Sequence, residues 1–167
     1  MDKLCILDIV EDTIVDGPGF RTTIYSAGCP HSCLGCHNPQ SWDKENGHWE
    51  SIDAILQIIK NNPVANVTFS GGEPFFQAKG FISLAKRIRT ETDKTIWCYT
   101  GYRYEQLIIK PLFKELLSCL DVLVDGRFEI TLKDSDLRFR GSSNQRIINL
   151  NNHFTKAERF CHHLESV

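Results

Sequence analysis

The hydrophobic residues of this chain follow two spacings, which predict strands and helices in alternation. Apolar residues three and four positions apart predict amphipathic helices around Ile52 and around Phe81, and a third helix over residues 104–118 with a break near Pro111. Ser51 is the expected N-cap of the first helix. Runs of β-branched, aliphatic and aromatic residues predict strands at residues 3–10, 20–26, 64–69, 95–100, 121–125 and 147–150.

This alternation predicts an α/β fold whose sheet is mainly parallel, with right-handed crossover connections. In such folds the active-site loops follow the C-terminal ends of the strands. A closed barrel of eight strand and helix units needs about 250 residues. The chain has 167 residues, so we expect an incomplete, laterally open (β/α) barrel formed by a single domain over residues 1–167.

Two C-terminal regions do not follow the alternation. Residues 126–145 are rich in charge and have little periodicity, which predicts a long functional loop. Residues 151–167 form a tail that we expect to be helical, because Thr155 and Glu158 have the spacing of a capping box. In that helix Ala157, Cys161 and Leu164 would share one face.

Composition narrows the class of protein. The chain is 41% hydrophobic and 24% charged, its net charge is -2, and it has no apolar run long enough to span a membrane. This charge balance provides no basic field for sequence-independent binding of nucleic acid. The number of cysteines is odd, at seven, and no apolar secretory leader is present. We therefore expect a cytoplasmic protein with reduced thiols, without a nucleic-acid or membrane partner.

Three of the cysteines form a compact motif. Cys29, Cys33 and Cys36 have the spacing CxxxCxxC directly after a predicted strand. Thiolates are soft ligands that favour zinc or iron–sulfur clusters, and three of them leave one coordination position free. His31 and His37 lie beside them, so a closed Cys3His zinc site remains an alternative.

The remaining cysteines lack this spacing. They are expected to be small buried hydrophobic residues, and a second cluster is not predicted: Cys5, Cys98, Cys119 and Cys161.

A glycine-rich turn follows the third predicted strand and favours the cluster. Gly71, Gly72 and Glu73 precede Pro74 in this turn. With the cysteine motif in this order, the chain resembles the radical S-adenosylmethionine superfamily. The resemblance implies a [4Fe-4S] cluster on the three cysteines, and a barrel of the radical S-adenosylmethionine type. It also implies that the two glycines approach the methionine end of S-adenosylmethionine while Glu73 holds its ammonium group.

The adenine of that cofactor is expected beside the end of the cysteine motif. By resemblance, its neighbours are the backbone groups around Gly35, Cys36 and His37. Many superfamily members have an aromatic residue where this chain has Gly35, so no side chain is expected to stack on the adenine at that position.

Three further segments resemble the anaerobic ribonucleotide reductase activating proteins: residues 15–21, 97–102 and 140–146. This resemblance covers about residues 13–150. It implies reductive cleavage of S-adenosylmethionine, removal of hydrogen from a glycine of the anaerobic ribonucleoside-triphosphate reductase, and a low-potential electron donor such as flavodoxin. Three alternatives remain. They are activation of another glycyl-radical enzyme such as formate-lyase, modification of a small molecule as in deazapurine synthesis, and a non-catalytic zinc-binding interaction module.

Other polar residues near these motifs have open roles. Arg21 is either a surface charge or a cation facing the cofactor or partner site, and the resemblance favours the second role. Tyr99 and Tyr102 either line the site or pack beside it. Asp16 and Asp125 are expected mainly as capping groups.

Overall fold

A seven-stranded sheet organises the computed structural model, which describes residues 2–160. Its strands are β1 (Lys3–Thr13), β2 (Arg21–Ser26), β3 (His48–Ser51), β4 (Asn66–Gly71), β5 (Ile96–Tyr99), β6 (Val122–Asp125) and β7 (Arg146–Asn149). The α-helices are α1 (Ile52–Asn61), α2 (Ala78–Glu91), α3 (Tyr104–Leu107), α4 (Pro111–Ser118) and α5 (Lys156–Phe160).

The strand order is β3-β1-β2-β4-β5-β6-β7. The four central strands β2, β4, β5 and β6 run parallel, as the alternating pattern predicted. The outer strands β1, β3 and β7 are antiparallel to their neighbours. The mixed α/β class is therefore confirmed, with β3 and β7 as the edges of an open sheet. The incomplete barrel stays a prediction.

The core lies between the sheet and its helices. Inward-facing residues of the parallel strands, such as Ile24, Phe69 and Leu123, pack against the apolar faces of α1, α2 and α4. The Ser51 side chain caps α1 by accepting a hydrogen bond from the backbone N–H of Ala54 at 3.1 Å. Phe81 on α2 is fully buried, so the helical spacing in the sequence identified the core-facing helices α1 and α2 correctly.

The sequence pattern did not predict strand β3, but it did predict the break between helices α3 and α4. Strand β3 pairs with β1 at the sheet edge, and its Trp49 is 58% exposed. A short edge strand without a buried face gives no alternating signal. The expected break at Pro111 is confirmed, because Lys110 has an extended conformation between α3 and α4.

The region after β6 is a long loop, as predicted. Residues 126–145 contain one short 3-10 turn, Ile130–Leu132, and an isolated bridge between Lys133 and Ser142. Helix α5 begins with the predicted capping box, in which the Glu158 carboxylate accepts from the Thr155 N–H at 2.8 Å. The expected packing of Cys161 and Leu164 lies outside the described residues. Within residues 2–160, the helices lack the length and apolar character needed to cross a bilayer.

Candidate functional site

A cleft of about 780 Å³ opens where the parallel strands end. It is lined by the three motif cysteines after β2, by Gly71 and Gly72 at the end of β4, and by residues that follow β5 and β6. Its volume lies in the range of small-molecule sites, about 300–1,000 Å³. The structure therefore brings both sequence motifs to one cleft, as expected for loops at the C-terminal ends of parallel strands.

Backbone hydrogen bonds fix the start of the cysteine loop. The N–H of Gly28 donates to the Ser41 carbonyl at 2.8 Å, and the N–H of Cys29 donates to the Trp42 carbonyl at 3.2 Å. Gly28 has a φ of 96° and is buried against the Phe76 ring. A side chain at this position would meet that ring at 2.8 Å, so glycine is required for both conformation and space.

The three motif thiols are half-buried and form no disulfide. Burial raises the pKa of the Cys29 thiol to about 11, although a hydrogen bond from the His31 backbone opposes this shift. Burial also raises the pKa of Cys33 above its usual value. At neutral pH both thiols therefore carry protons, which a bound metal would displace.

The arrangement of ligands bears on the choice between zinc and a cluster. A structural zinc ion requires four ligands that converge on one point. Within the described part of the chain, no group of three or more His, Cys, Asp or Glu residues converges in this way. A [4Fe-4S] cluster makes a different demand, because each thiolate binds a separate iron atom. Three separate half-buried thiols line the cleft and can supply such ligands.

The Gly71–Gly72 turn lies directly against the beginning of the cysteine loop. Gly71 has a φ of 86°, and a Cβ at this position would lie 2.6 Å from the backbone nitrogen of Ser26. A Cβ on Gly72 would lie 2.5 Å from the Gly28 carbonyl oxygen. The N–H of Glu73 donates to that same oxygen at 2.9 Å. This close approach of two backbones requires both glycines, whatever the cleft binds.

The Glu73 carboxylate is fully buried, and Glu73 is not among the described residues that line the cleft. It accepts hydrogen bonds from the Phe75 N–H at 3.0 Å, the Gly101 N–H at 2.9 Å and the Thr100 hydroxyl at 3.0 Å. His31 Nε2 is the fourth partner, at 2.7 Å. Contact between Glu73 and the ammonium group of a cofactor stays a prediction, which would require one of these partners to move.

His31 connects this carboxylate to the cysteine loop. His31 is 8% exposed as a residue, and its ring packs edge-on against Tyr102 with 4.5 Å between ring centroids. The ring leaves no room for a side chain at Gly101. Its Nε2 is occupied by Glu73, while its buried Nδ1 has no hydrogen-bond partner among the described residues. The sequence suggested His31 only as a zinc ligand. The pairing with Glu73 spans 42 residues and therefore has no local sequence signal.

Residues 35–37 contact the long loop after β6. Gly35 has a φ of 75°, and a Cβ there would lie 2.7 Å from the Ile130 side chain. The His37 ring packs against Phe128 with 5.1 Å between ring centroids. Cys36 and His37 line the cleft, whereas Gly35 is not among the described lining residues. The adenine position beside these residues stays a prediction.

Neither role expected for Arg21 is correct. Its side chain is 1% exposed, and its guanidinium donates to the Thr68 hydroxyl and to the Val67 carbonyl, each at 2.7 Å. It also stacks 5.5 Å from the centroid of the Trp97 ring. Burial lowers the pKa of Arg21 to about 10. The residue is a structural cation at the start of β2, on the sheet face opposite to Ile24 and Phe69 and at the opposite strand ends from the cleft.

The other polar residues also have defined partners. Asp16 lines the cleft and accepts a hydrogen bond from the Tyr25 hydroxyl at 2.6 Å. Tyr99 also lines it and donates to the Phe139 carbonyl at 2.7 Å. Asp125 accepts from the Tyr104 N–H at 2.8 Å at the start of α3, so its expected capping role is confirmed.

Cys5, Cys98 and Cys119 are buried at 2%, 0% and 6% exposure, as predicted for cysteines outside the motif. Cys161 lies outside the described residues.

Comparison with solved structures supports the fold. The chain is similar to the crystal structure of QueE from Escherichia coli, with a TM-score of 0.51 and 16% sequence identity. The match covers 59% of this chain and 52% of that chain, so it spans about half of the solved structure. At this identity the likeness concerns the fold alone.

Sequence comparisons identify the family. Residues 15–148 match the family model described as a 4Fe-4S single cluster domain. Proteins named anaerobic ribonucleoside-triphosphate reductase-activating protein are similar along most of their length. The Vibrio cholerae protein is 38% identical over 79% of this chain and 89% of its own. The Escherichia coli K12 protein is 36% identical over 79% and 90%, and that of Enterobacteria phage T4 is 33% identical over 80% and 86%. With its cysteine loop and glycine turn on one cleft, the chain belongs to the family of anaerobic ribonucleoside-triphosphate reductase-activating proteins.

Proposed function

We propose that this protein activates an anaerobic ribonucleoside-triphosphate reductase by removing a hydrogen atom from a glycine of that enzyme. The reaction would use a [4Fe-4S] cluster and S-adenosylmethionine, both bound in the cleft at the C-terminal ends of the parallel strands. One observation carries the proposal. Three free, half-buried thiols and the Gly71–Gly72 turn line the same cleft, in a chain that belongs to the family of activating proteins.

Cys29, Cys33 and Cys36 would each bind one iron atom of the cluster. No other described cysteine lines the cleft, so the fourth iron would be open to a ligand that is not part of the protein. The amino and carboxylate groups of S-adenosylmethionine fit that position. A reduced cluster and the bound cofactor supply one chemistry, namely one-electron cleavage of a carbon–sulfur bond followed by removal of a substrate hydrogen.

The protein contributes position and shielding. The backbone of Gly71 and Gly72 forms the wall for the methionine end, while residues 35–37 adjoin the proposed adenine position. Tyr99 and the segment around Phe139 form another wall, which is held by the bond between the Tyr99 hydroxyl and the Phe139 carbonyl. Together these walls would limit the access of water to a reactive cofactor.

We further propose that the open sheet curves into the incomplete barrel typical of radical S-adenosylmethionine enzymes. The open side suits a protein substrate, because a small substrate benefits from an enclosed pocket. A low-potential donor such as flavodoxin would supply the electron.

The proposal is tested with anaerobically reconstituted protein, S-adenosylmethionine, dithionite and an anaerobic ribonucleotide reductase. Electron paramagnetic resonance should show a glycyl doublet on the reductase, and protein with Cys33→Ala should give none. Absence of a doublet with the reductase, together with a doublet on a formate-lyase, would move the assignment to another glycyl-radical enzyme. Stoichiometric zinc without sulfide and without cofactor cleavage would instead support the zinc-binding module.

A further inference from the structure

A second concave surface adjoins the cysteine loop through Phe76 and Tyr102. This groove has a volume of about 500 Å³. Its lining includes three lysines and several aromatic residues: Lys3, Lys44, Lys79, Trp49, Phe75, Phe76, Tyr102 and Phe113. We call this surface the basic groove. It shares no described lining residue with the cleft, so it is a separate feature of the molecule.

The charge of the basic groove is opposite to that of the whole chain. The chain has a net charge of -2, yet none of the described residues that line the groove is acidic. Within residues 2–160, Lys3, Lys44 and Lys79 form no ion pair. Their positive charge is therefore available to an acidic partner.

Exposed aromatic rings accompany these lysines. Trp49 is 58% exposed and Phe76 is 54% exposed. The Lys44 ammonium lies 4.6 Å from the centroid of the Trp49 ring and 5.9 Å from that of Phe76, which holds the cation between them. Aromatic residues are enriched at protein interfaces relative to the rest of the protein surface.

The floor of the groove is only one layer of side chains from the cysteine loop. The Phe76 ring packs against Gly28, the residue before Cys29. Tyr102 also lines the groove, and its ring contacts the ring of His31, which lies between two of the cysteines. A protein seated in the groove would therefore approach the proposed cluster from behind, while the cleft remained open to the substrate.

We propose that the basic groove is the docking surface for the electron donor, a small acidic electron-transfer protein of the flavodoxin type. The inference rests on the proposed function, since it requires a cluster on the three cysteines. The fully reduced anionic flavin of the donor loses one electron and becomes the neutral one-electron-oxidised flavin. The oxidised cluster gains that electron, and no bond or proton is transferred between the proteins.

The experiment compares Lys44→Glu and Lys79→Glu with Lys156→Glu on reconstituted holoprotein. Each substitution changes the net charge by the same amount. Lys156 serves as the control because it is exposed and is not among the residues that line the basic groove. It lies on α5, which contacts the segment before β6 through Arg159. Lys79→Glu is well tolerated structurally, because it places an acidic residue in the first turn of α2.

Reduced flavodoxin is mixed with each protein, and bleaching of the cluster absorption is followed by stopped flow at low ionic strength. Both groove variants should be reduced roughly tenfold more slowly than the wild type, and this difference should shrink at high salt. Oxidised flavodoxin, titrated by nuclear magnetic resonance, should bind them more weakly. The control should match the wild type in both assays, and dithionite should reduce all four proteins equally.

Wild-type rates and affinities for both groove variants would overturn the docking proposal, and so would equal slowing by Lys156→Glu. Normal flavodoxin reduction combined with a lost glycyl radical would assign the groove to the reductase and overturn it as well. Failure of the wild type to form a cluster or to cleave S-adenosylmethionine with dithionite would instead reject the proposed function. The two failures are therefore distinguishable.

Discussion

The three motif cysteines are half-buried, whereas the other described cysteines are buried. Cys98 is fully buried among core residues, whereas Cys36 lines the cleft beside its two motif partners. Replacing Cys36 by Ser should therefore abolish stable cluster binding and cofactor cleavage, because one of three thiolate ligands is lost. Iron and sulfide analysis after anaerobic reconstitution measures the effect.

Cys98→Ala provides the matched control for this prediction. It removes a thiol of the same chain but leaves the cleft unchanged, so iron and sulfide should match the wild type. A similar loss of cluster in both variants would mean that the folded scaffold, rather than the ligand, had been damaged.

The pair of His31 and Glu73 carries a second prediction at the residue scale. The sequence predicts that Glu73→Gln weakens S-adenosylmethionine binding and leaves the cluster in place. The structure adds a positioning role, because the buried carboxylate holds the cysteine loop through His31 at 2.7 Å. We therefore expect Glu73→Gln and His31→Ala each to accelerate the loss of cluster iron to a chelator. Losing a buried, charge-assisted hydrogen bond typically destabilises a protein by about 1–3 kcal/mol.

A double-mutant cycle distinguishes this positioning role from two independent effects. If the two side chains act as a pair, the double variant should lose iron no faster than the faster single variant. Additive effects on the logarithm of the rate would contradict the pairing. Titration of S-adenosylmethionine on the intact cluster provides a separate readout, in which unchanged affinity of Glu73→Gln would refute the predicted contact with the ammonium group.

At the scale of elements, the end of β4 meets the end of β2 with no space for side chains. Gly71→Ala would add a Cβ 2.6 Å from the Ser26 nitrogen, at a residue whose φ is 86°. Gly19→Ala is the matched control, because Gly19 has a φ of 71° and nothing within 4 Å of its would-be Cβ. The control should lower the free energy of unfolding by about 1–2 kcal/mol, the usual penalty of a left-handed conformation.

Gly71→Ala should lower the free energy of unfolding by clearly more, because backbone atoms must also move apart. Urea unfolding of the metal-free proteins measures both values, so the result does not depend on the cofactor. Equal values for the two variants would show that the contact between β2 and β4 relaxes without a further energetic penalty.

The elements that could be predicted from the sequence are those with a buried face. Strands β2, β4, β5 and β6 were found from runs of β-branched, aliphatic and aromatic residues, and helices α1 and α2 from apolar residues at helical spacing. Strand β3 was missed, since it has no such face. The antiparallel directions of β1 and β7 were also not foreseen, because periodicity identifies a strand without giving its direction.

At the scale of the whole molecule, the position of the cleft could be foreseen, but its supporting contacts could not. Loops that follow parallel strands meet at one edge, so the two motifs were expected together. The pairing of His31 with Glu73 and the burial of Arg21 depend on residues far apart in the chain. The resemblance favoured a role for Arg21 facing the cofactor or partner site, whereas Thr68 and Trp97 enclose its side chain.

The contact between the two motifs has a consequence for protein engineering. The carbonyl of Gly28 accepts the Glu73 N–H, and a Cβ on Gly72 would lie 2.5 Å from the same oxygen. The cysteine loop therefore derives its shape from a segment more than forty positions later in the chain. Transplanting residues 28–38 alone into another scaffold would transfer the ligands without the frame that holds them. A functional graft would have to include the glycine turn and both parallel strands, as one indivisible module.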